Sequence, residues 1–310
     1  RILNYHAAHD IGHALNDYSM VGCTSFALKG HKSSDGKLMI GRNFDFYVGD
    51  DFAEEKIVLF LKPDKGQAFV SYSWAGFSGV ASGLNIKGLS VTINASKSDL
   101  PTSTKTPISL LAREILQYAS TIDEAIAIAK KRETFVSETI MVASKIDGKA
   151  VLIEKSPSKM GVYDPGMDEL ICANHYQSMA FLMDSSNIQN IMDSDSHFRY
   201  AKVRTMVSHK DSLSTSDALA ILRSQTGING DTLGMGNPRA VNQLIAHHSV
   251  IILPEDLLFY ASTNDYQLGE YKGYDLEKIF ATKEINPPKM LSKDVFIDSE
   301  NYSKFKQFKK

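Results

Sequence analysis

Apolar residues fall at helical spacing in the first twenty positions and alternate in short runs thereafter. Residues 1–20 (RILNYHAAHDIGHALNDYSM) place Ile2, Ala7, Ile11 and Leu15 near one helix face, so a helix is predicted as far as a break at Gly22. Beyond it, TSFALKG and GKLMIGRNFDF predict a hairpin around the Ser-Ser-Asp-Gly turn at 33–36. KIVLFLKP (56–63) and QAFVSYSWAG (67–76) form a second pair, and GVASGLNIKGLSVTINAS (79–96) a third. ISLLAREILQYA (108–119) and IDEAIAIAKKR (122–132) predict helices, the latter N-capped by Thr121. ETIMVASKI and KAVLIEKS then pair through Asp147 and Gly148. KMGVYDPG and DELICANHYQ are expected to continue the same sheet, and 176–194 to follow as a loop. HFRYAKVRTMVSH (197–209) and TSDALAILRSQ (215–225) predict helices, the second capped near Ser216. HHSVIILP (247–254) and DLLFYAST (256–263) make a late hairpin, and the Lys-rich tail from Pro287 is weakly patterned. Strands in blocks and helices in pairs indicate an α+β chain rather than alternating βαβ units.

Composition narrows the function. Of 310 residues, 43% are hydrophobic and 23% charged, which is ordinary for a globular protein of one large domain. A formal charge of −2 lacks the basic surplus of a nucleic-acid or anionic-membrane binder, so neither partner is expected. No apolar run approaches the roughly 20 residues of a membrane helix. Two cysteines cannot build a disulfide framework. Self-association as a homo-oligomer is left open. The chain opens on Arg1 rather than Met, so we expect a missing upstream part. A removed leader would favour a periplasmic or secreted location over a cytoplasmic one.

The candidate chemistry centres on Cys23. A lone cysteine is usually a small buried hydrophobe. Here, however, Gly22 leaves the preceding carbonyl unhindered, and Thr24 and Ser25 add hydroxyls. The predicted hairpin also returns Arg42 and Asp45 towards the thiol. Those two at i and i+3 would otherwise be a surface ion pair of little energetic value. His6, His9 and His13, with Asp10 beside them, share a helix face that would suit zinc. They lack a His-Glu-x-x-His pattern, so a solvated or core-edge stripe and no metal is the expectation. His247 and His248 begin a strand. No P-loop or Gly-x-Ser-x-Gly elbow occurs, and the Gly-rich stretch 230–238 (GDTLGMGNP) reads as a loop near a substrate entrance.

GCTSF followed by GKLMIGRNFDF resembles the opening of the linear-amide hydrolases of the N-terminal-nucleophile (Ntn) superfamily. That group includes choloylglycine hydrolases, penicillin V acylases, acid-ceramidase-like amidases and the acyl-CoA:6-aminopenicillanate acyltransferases of peptidase family C45. WAGFSGVASGLNIKGLSVTINAS resembles the paired strands that end in an asparagine, here Asn94. ICANHY resembles the strand presenting a second one, Asn174. SHFRYAKV resembles the helix with a functional arginine, Arg199, for which Arg204 competes. HHSVIILPEDLLFYAS resembles the C-terminal hairpin of the C45 branch. Taken alone, Asn94 reads as a turn residue, Asn174 as core filler and Arg199 as a helix-surface charge.

The resemblance implies a four-layer αββα sandwich and no cofactor. It implies a helical pro-segment, 1–22, released by self-cleavage between Gly22 and Cys23, and a single catalytic domain, 23–310. The freed α-amine has an ordinary pKa of about 7.7–8.0, low enough to serve its own thiol as base. Arg42 would lower the thiol pKa, and Asp45 would orient the amine. The Asn174 side chain and the Asn94 N–H would form the oxyanion hole, with Arg199 organising the site. The substrate is then an amide with an apolar acyl group, cleaved by water or passed to an amine. Phe46, Tyr47, Trp74, Phe77 and Tyr176 are expected to line its pocket.

Overall fold

The computed structural model describes residues 22–46, 56–99, 105–285 and 289–309. The expected N-terminal helix with its three histidines, and Tyr47, lie outside the described residues. The strands are β1 (Thr24–Leu28), β2 (Met39–Asp45), β3 (Lys56–Leu61), β4 (Phe69–Trp74), β5 (Ser82–Asn85), β6 (Leu89–Ala95) and β7 (Glu138–Ser144). They continue with β8 (Lys149–Lys155), β9 (Met160–Tyr163), β10 (Glu169–Cys172), β11 (Ala246–Leu253), β12 (Leu258–Ser262), β13 (Tyr271–Asp275) and β14 (Lys289–Leu291). The α-helices are α1 (Ile108–Tyr118), α2 (Ile122–Lys131), α3 (Ser185–Asp193), α4 (Ser196–Ser208), α5 (Thr215–Leu222), α6 (Leu276–Thr282) and α7 (Glu300–Lys309).

Among the described residues these strands form two seven-stranded antiparallel sheets. One runs β10-β1-β2-β11-β12-β13-β14 and the other β3-β4-β5-β6-β7-β8-β9. The two-residue period of each strand sorts its side chains into three apolar layers. Ala27, Ile40, Val250 and Ile252 of the first sheet meet Val70, Leu84, Met141 and Leu152 of the second. On the outer face of the first sheet, Phe26, Leu28 and Ile251 pack on Val203, Val207 and Leu219 of α4 and α5. On the outer face of the second, Val91, Ile93, Ile140 and Val142 pack on Leu111, Ile115 and Leu116 of α1. The order helix, sheet, sheet, helix is the αββα sandwich. Each such buried aliphatic side chain contributes about 1.5–3 kcal/mol.

Three elements depart from the sequence reading. β9 stays with its sheet, but β10 crosses to the other one and pairs with β1, Ser25 opposite Cys172. The turn between them contains Gly166 at φ +62°, and β10 covers what would have been an open edge. Helix α5 is capped by Ser214, not near Ser216: Ser214 accepts from the Asp217 N–H, and Asp217 reciprocates. The expected loop 176–194 contains α3, capped by Asp184. Its buried residues are Asn187 and Asn190, while Ile188 and Met192 are exposed, so the apolar period points outwards.

Gly41 is where the first hairpin meets the helix layer, since a Cβ there would overlap the Phe26 ring. Gly41→Ala is expected to destabilise the chain by about 1–3 kcal/mol through overpacking, read as a lower urea midpoint at unchanged m-value.

Candidate active site

The first hairpin sets the site. Ser25 pairs with Arg42 and Thr24 with Asn43, so Cys23 comes just before β1, beside the end of β2. Arg42 shares the inward face of β2 with Ile40, which lodges its guanidinium between the sheets. Asp45 is of the opposite parity and faces the helix layer. The Asp45 carbonyl accepts from the Gly22 N–H at 3.1 Å and lies 3.8 Å from Cys23 Sγ.

Arg42 is fully buried. It donates to the Ile93 carbonyl and, at 2.9 Å, to Ser82 Oγ, and its Nη2 lies 3.9 Å from Cys23 Sγ. His248 Nε2 lies 2.9 Å from Ser82 Oγ and 3.3 Å from Arg42 Nη1. Burial holds the His248 ring well below its usual pKa, a neutral neighbour for the guanidinium.

Asn94 and Asn174 bind the two sheets reciprocally. Asn94 Nδ2 donates to the Ala173 carbonyl at 3.1 Å, and Asn174 Nδ2 donates to the Ala95 carbonyl at 2.9 Å. Ser25 Oγ donates to Asn94 Oδ1 at 2.8 Å. Arg199, buried on α4, donates to Asn174 Oδ1 at 2.7 Å and to the Gly22 carbonyl at 3.2 Å. Ser196, three residues earlier on the same helix face, accepts from the Asn174 N–H at 2.7 Å. Arg204 is exposed on that helix and plays no part here. From α3, Asn190 donates to the Asn174 carbonyl at 2.7 Å, and Asn187 holds both backbone groups of Tyr176.

Cys23, Arg42, Asp45, Asn94, Asn174 and Arg199 are thus joined through hydrogen bonds, backbone contacts and mutual electrostatics. Phe46, Trp74 and Phe77 share the apolar cluster of Cys23, with Trp74 and Phe77 stacked at 3.9 Å. Tyr176 stacks on Phe181 and donates to the Lys155 carbonyl. The stretch 224–243, which includes the Gly-rich segment, brings Gln243 to 3.3 Å from the Gly22 carbonyl oxygen. Sequence reasoning passed over Ser82, Gln243 and the α3 asparagines, and met Ser196 only as a serine separated from Arg199 by His197 and Phe198. Only Ser196, one turn ahead of a candidate arginine, carried a readable signal.

The electrostatics of the cluster are dominated by burial. It pushes the Cys23 thiol up to about 11 against the pull of Arg42, so the thiol is protonated at neutral pH. It also raises the Asp45 carboxyl to about 7, against Arg199 and Arg42. Both Asp45 carboxyl oxygens are buried and have no hydrogen-bond partner among the described residues.

With this geometry in view, the sequence profile of the acyl-coenzyme A:6-aminopenicillanic acid acyl-transferase family matches residues 31–230. The chain belongs to this family. The stretch matched to the acyl-transferase family carries Arg42, Asp45, Asn94, Asn174 and Arg199, and begins after Cys23. A Caenorhabditis elegans N-acylethanolamine-hydrolyzing acid amidase ortholog superposes with a TM-score of 0.54 at 18% identity, over 75% of this chain and 93% of that one. A mutant conjugated bile acid hydrolase from Clostridium perfringens gives a TM-score of 0.52 at 17% identity, over 83% and 93%. The fold is that of the Ntn hydrolases. Over 156 residues the chain is 28% identical to an uncharacterized protein of Archaeoglobus fulgidus. The match covers 48% of this chain, which spans about a quarter (26%) of that curated relative's length.

Asp45 sets a pH dependence. Its folded pKa is above the ordinary carboxylate value, so between about 4 and about 7 the folded state binds the extra proton. Stability from this group is full below about 4 and is lost as the pH rises through about 7. In the Cys23→Ala background, Asp45→Asn is expected to gain stability relative to Asp45 as the pH rises across that window. The gain is on the order of a few kcal/mol, read from urea unfolding at successive pH values. A pH-independent difference would refute the assignment.

Proposed function

We propose that this chain is a self-processing cysteine amidase acting on a linear amide through a Cys23 thioester. Residues 1–22 would be its pro-segment and 23–310 its catalytic domain. The observation that carries this reading is Asp45, whose buried carboxyl oxygens lack a partner while its backbone holds Gly22 and the Cys23 thiol. Orphaned buried acceptors are costly and call for an explanation. The α-amine created by a cut before Cys23 supplies one, because it brings N–H donors to the carboxyl group at that place.

In this reading, the neutral α-amine takes the Cys23 proton, directly or through water, as the sulfur attacks the substrate carbonyl. Departure of Gly22 from beside the thiol would relax the burial that holds its pKa near 11, and Arg42 then favours the thiolate. The oxyanion is assigned to the Asn174 carboxamide and the Asn94 N–H. Arg199 fixes the Asn174 carboxamide and Ser196 its backbone N–H, so Arg199 is a positioning residue for turnover. The amine of the cleaved amide leaves with the proton, and water hydrolyses the thioester. Phe46, Trp74 and Phe77 supply an apolar wall for the acyl group. N-Acylethanolamines and conjugated bile acids, named for the two structural relatives, are amides of this type.

The family match favours a second acceptor. An amine that displaces the thioester in place of water would make the same site an acyltransferase. Product analysis with and without added amines separates the two.

Intact-mass measurement is expected to find the wild-type chain cut between Gly22 and Cys23 and Cys23→Ala whole. A whole wild-type chain whose Cys23 takes no thiol reagent would sink the proposal. In cut protein, Asn174→Ala is expected to lower kcat about 10²–10³-fold in a screen over bile-salt, penicillin V, N-acyl amino acid and acylethanolamide substrates. Wild-type turnover by that variant would remove Asn174 from the oxyanion hole.

A further inference from the structure

Two donors from separate elements converge on one backbone oxygen. The Gly22 carbonyl accepts from Arg199 Nη1 of α4 at 3.2 Å and from Gln243 Nε2, ahead of β11, at 3.3 Å. Both side chains are buried, Gln243 at 4% exposure. The Gln243 backbone is fixed as well: its carbonyl accepts from the Ala246 N–H at 3.1 Å, and the next residue, Leu244, donates to the Met235 carbonyl at 2.9 Å. Ile245 in turn accepts from the Phe46 N–H at 3.1 Å, which ties this segment to the end of β2. A Cβ on Gly22 would lie 2.6 Å from Gln243 Nε2, so only glycine leaves the carboxamide in place. The two donors reach the same oxygen from different elements, the arrangement that holds charge developing on a carbonyl oxygen.

We propose that Gln243 and Arg199 form the oxyanion hole of the self-cleavage step, separate from the Asn94 and Asn174 groups assigned to the substrate. The proposal rests on the self-cleavage reading above. Cys23 Sγ bonds to the Gly22 carbonyl carbon, and the carbonyl π pair moves to oxygen, where the two donors hold it. Collapse breaks the Gly22–Cys23 C–N bond, and the thiol proton ends on the Cys23 nitrogen. Water then adds to the thioester, leaving a carboxyl group on Gly22 and returning the thiol. Two successive acyl transfers at one sulfur would thus use different donors, one set for each carbonyl.

The test follows cleavage of the freshly refolded full chain by intact mass over time. Gln243→Ala is expected to slow the cut at least about tenfold relative to wild type. Gln243→Glu is expected to cut at low pH, where its carboxyl donates, and to fall progressively behind wild type as it ionises. Gly22→Ala is expected to slow the wild-type chain but to add little in the Gln243→Ala background, because it acts by displacing that carboxamide. Thermal unfolding of Gln243→Ala in the Cys23→Ala background checks that the variant folds. If Gln243→Ala is cut at the wild-type rate, or the Gln243→Glu to wild-type ratio is flat with pH, Gln243 only packs and the proposal falls. A wild-type chain that stays whole removes the self-cleavage reading itself and this proposal with it, so the two failures are distinguishable.

Discussion

A guanidinium between two sheets has to be satisfied from both, and Arg42 imposes that condition on this molecule. It projects from β2 and spends its donors on Ile93 and Ser82 of the facing sheet. Slipping either sheet along its strands would orphan those donors in a medium without water, at a cost of several kcal/mol. The apolar layer between the sheets is tolerant of small shifts, whereas this contact is directional. Cys23 inherits its position from the arrangement, because β1 is registered on β2 and the thiol comes to the same Nη2 that donates to the Ile93 carbonyl.

A second constraint joins the layers at the other end of the site. Asn94 and Asn174 each donate across the gap to the carbonyl beside the other. Their exchange closes the sandwich around Ser25, and Arg199 then brings the helix layer to the same point. The polar part of the site is therefore made where both sheets and the α4 layer meet, while Cys23 also joins the apolar cluster that includes α1 and α2. Its residues come from positions as far apart as 22 and 248, and the long irregular stretch that carries Gln243 is held by backbone bonds from Asn242 to Ser224 and from Leu244 to Met235.

Much of this was legible in the sequence for a physical reason. Period-two patterning in a two-faced sheet fixes which residues pair, so the first hairpin, the pairs at 56–96 and the late hairpin follow from it. The Thr121 cap was readable because the reciprocal bond with Glu124 needs those two residue types at that spacing. The sheet switch of β10 was not readable, since Leu170 and Cys172 would suit the inner face of either sheet. Helix α3 was hidden by reversed amphipathicity. It buries asparagines to hold the Asn174 and Tyr176 backbone and leaves Ile188 and Met192 outside. Gln243 lies in a stretch without period, where nothing in the residue order tells a structural amide from a donor aimed at one carbonyl.

The depth of Cys23 has a bearing on chemical durability. Oxidants and electrophiles react with thiolate, and a thiol held near pKa 11 and 1% exposed presents almost none at neutral pH. The intact chain therefore carries its sulfur in a shelf-stable form, shielded from sulfenic and sulfinic acid formation. Any event that uncovers this sulfur makes it reactive and perishable together, so the lifetime of the exposed form is set by the surrounding redox chemistry as much as by the stability of the fold.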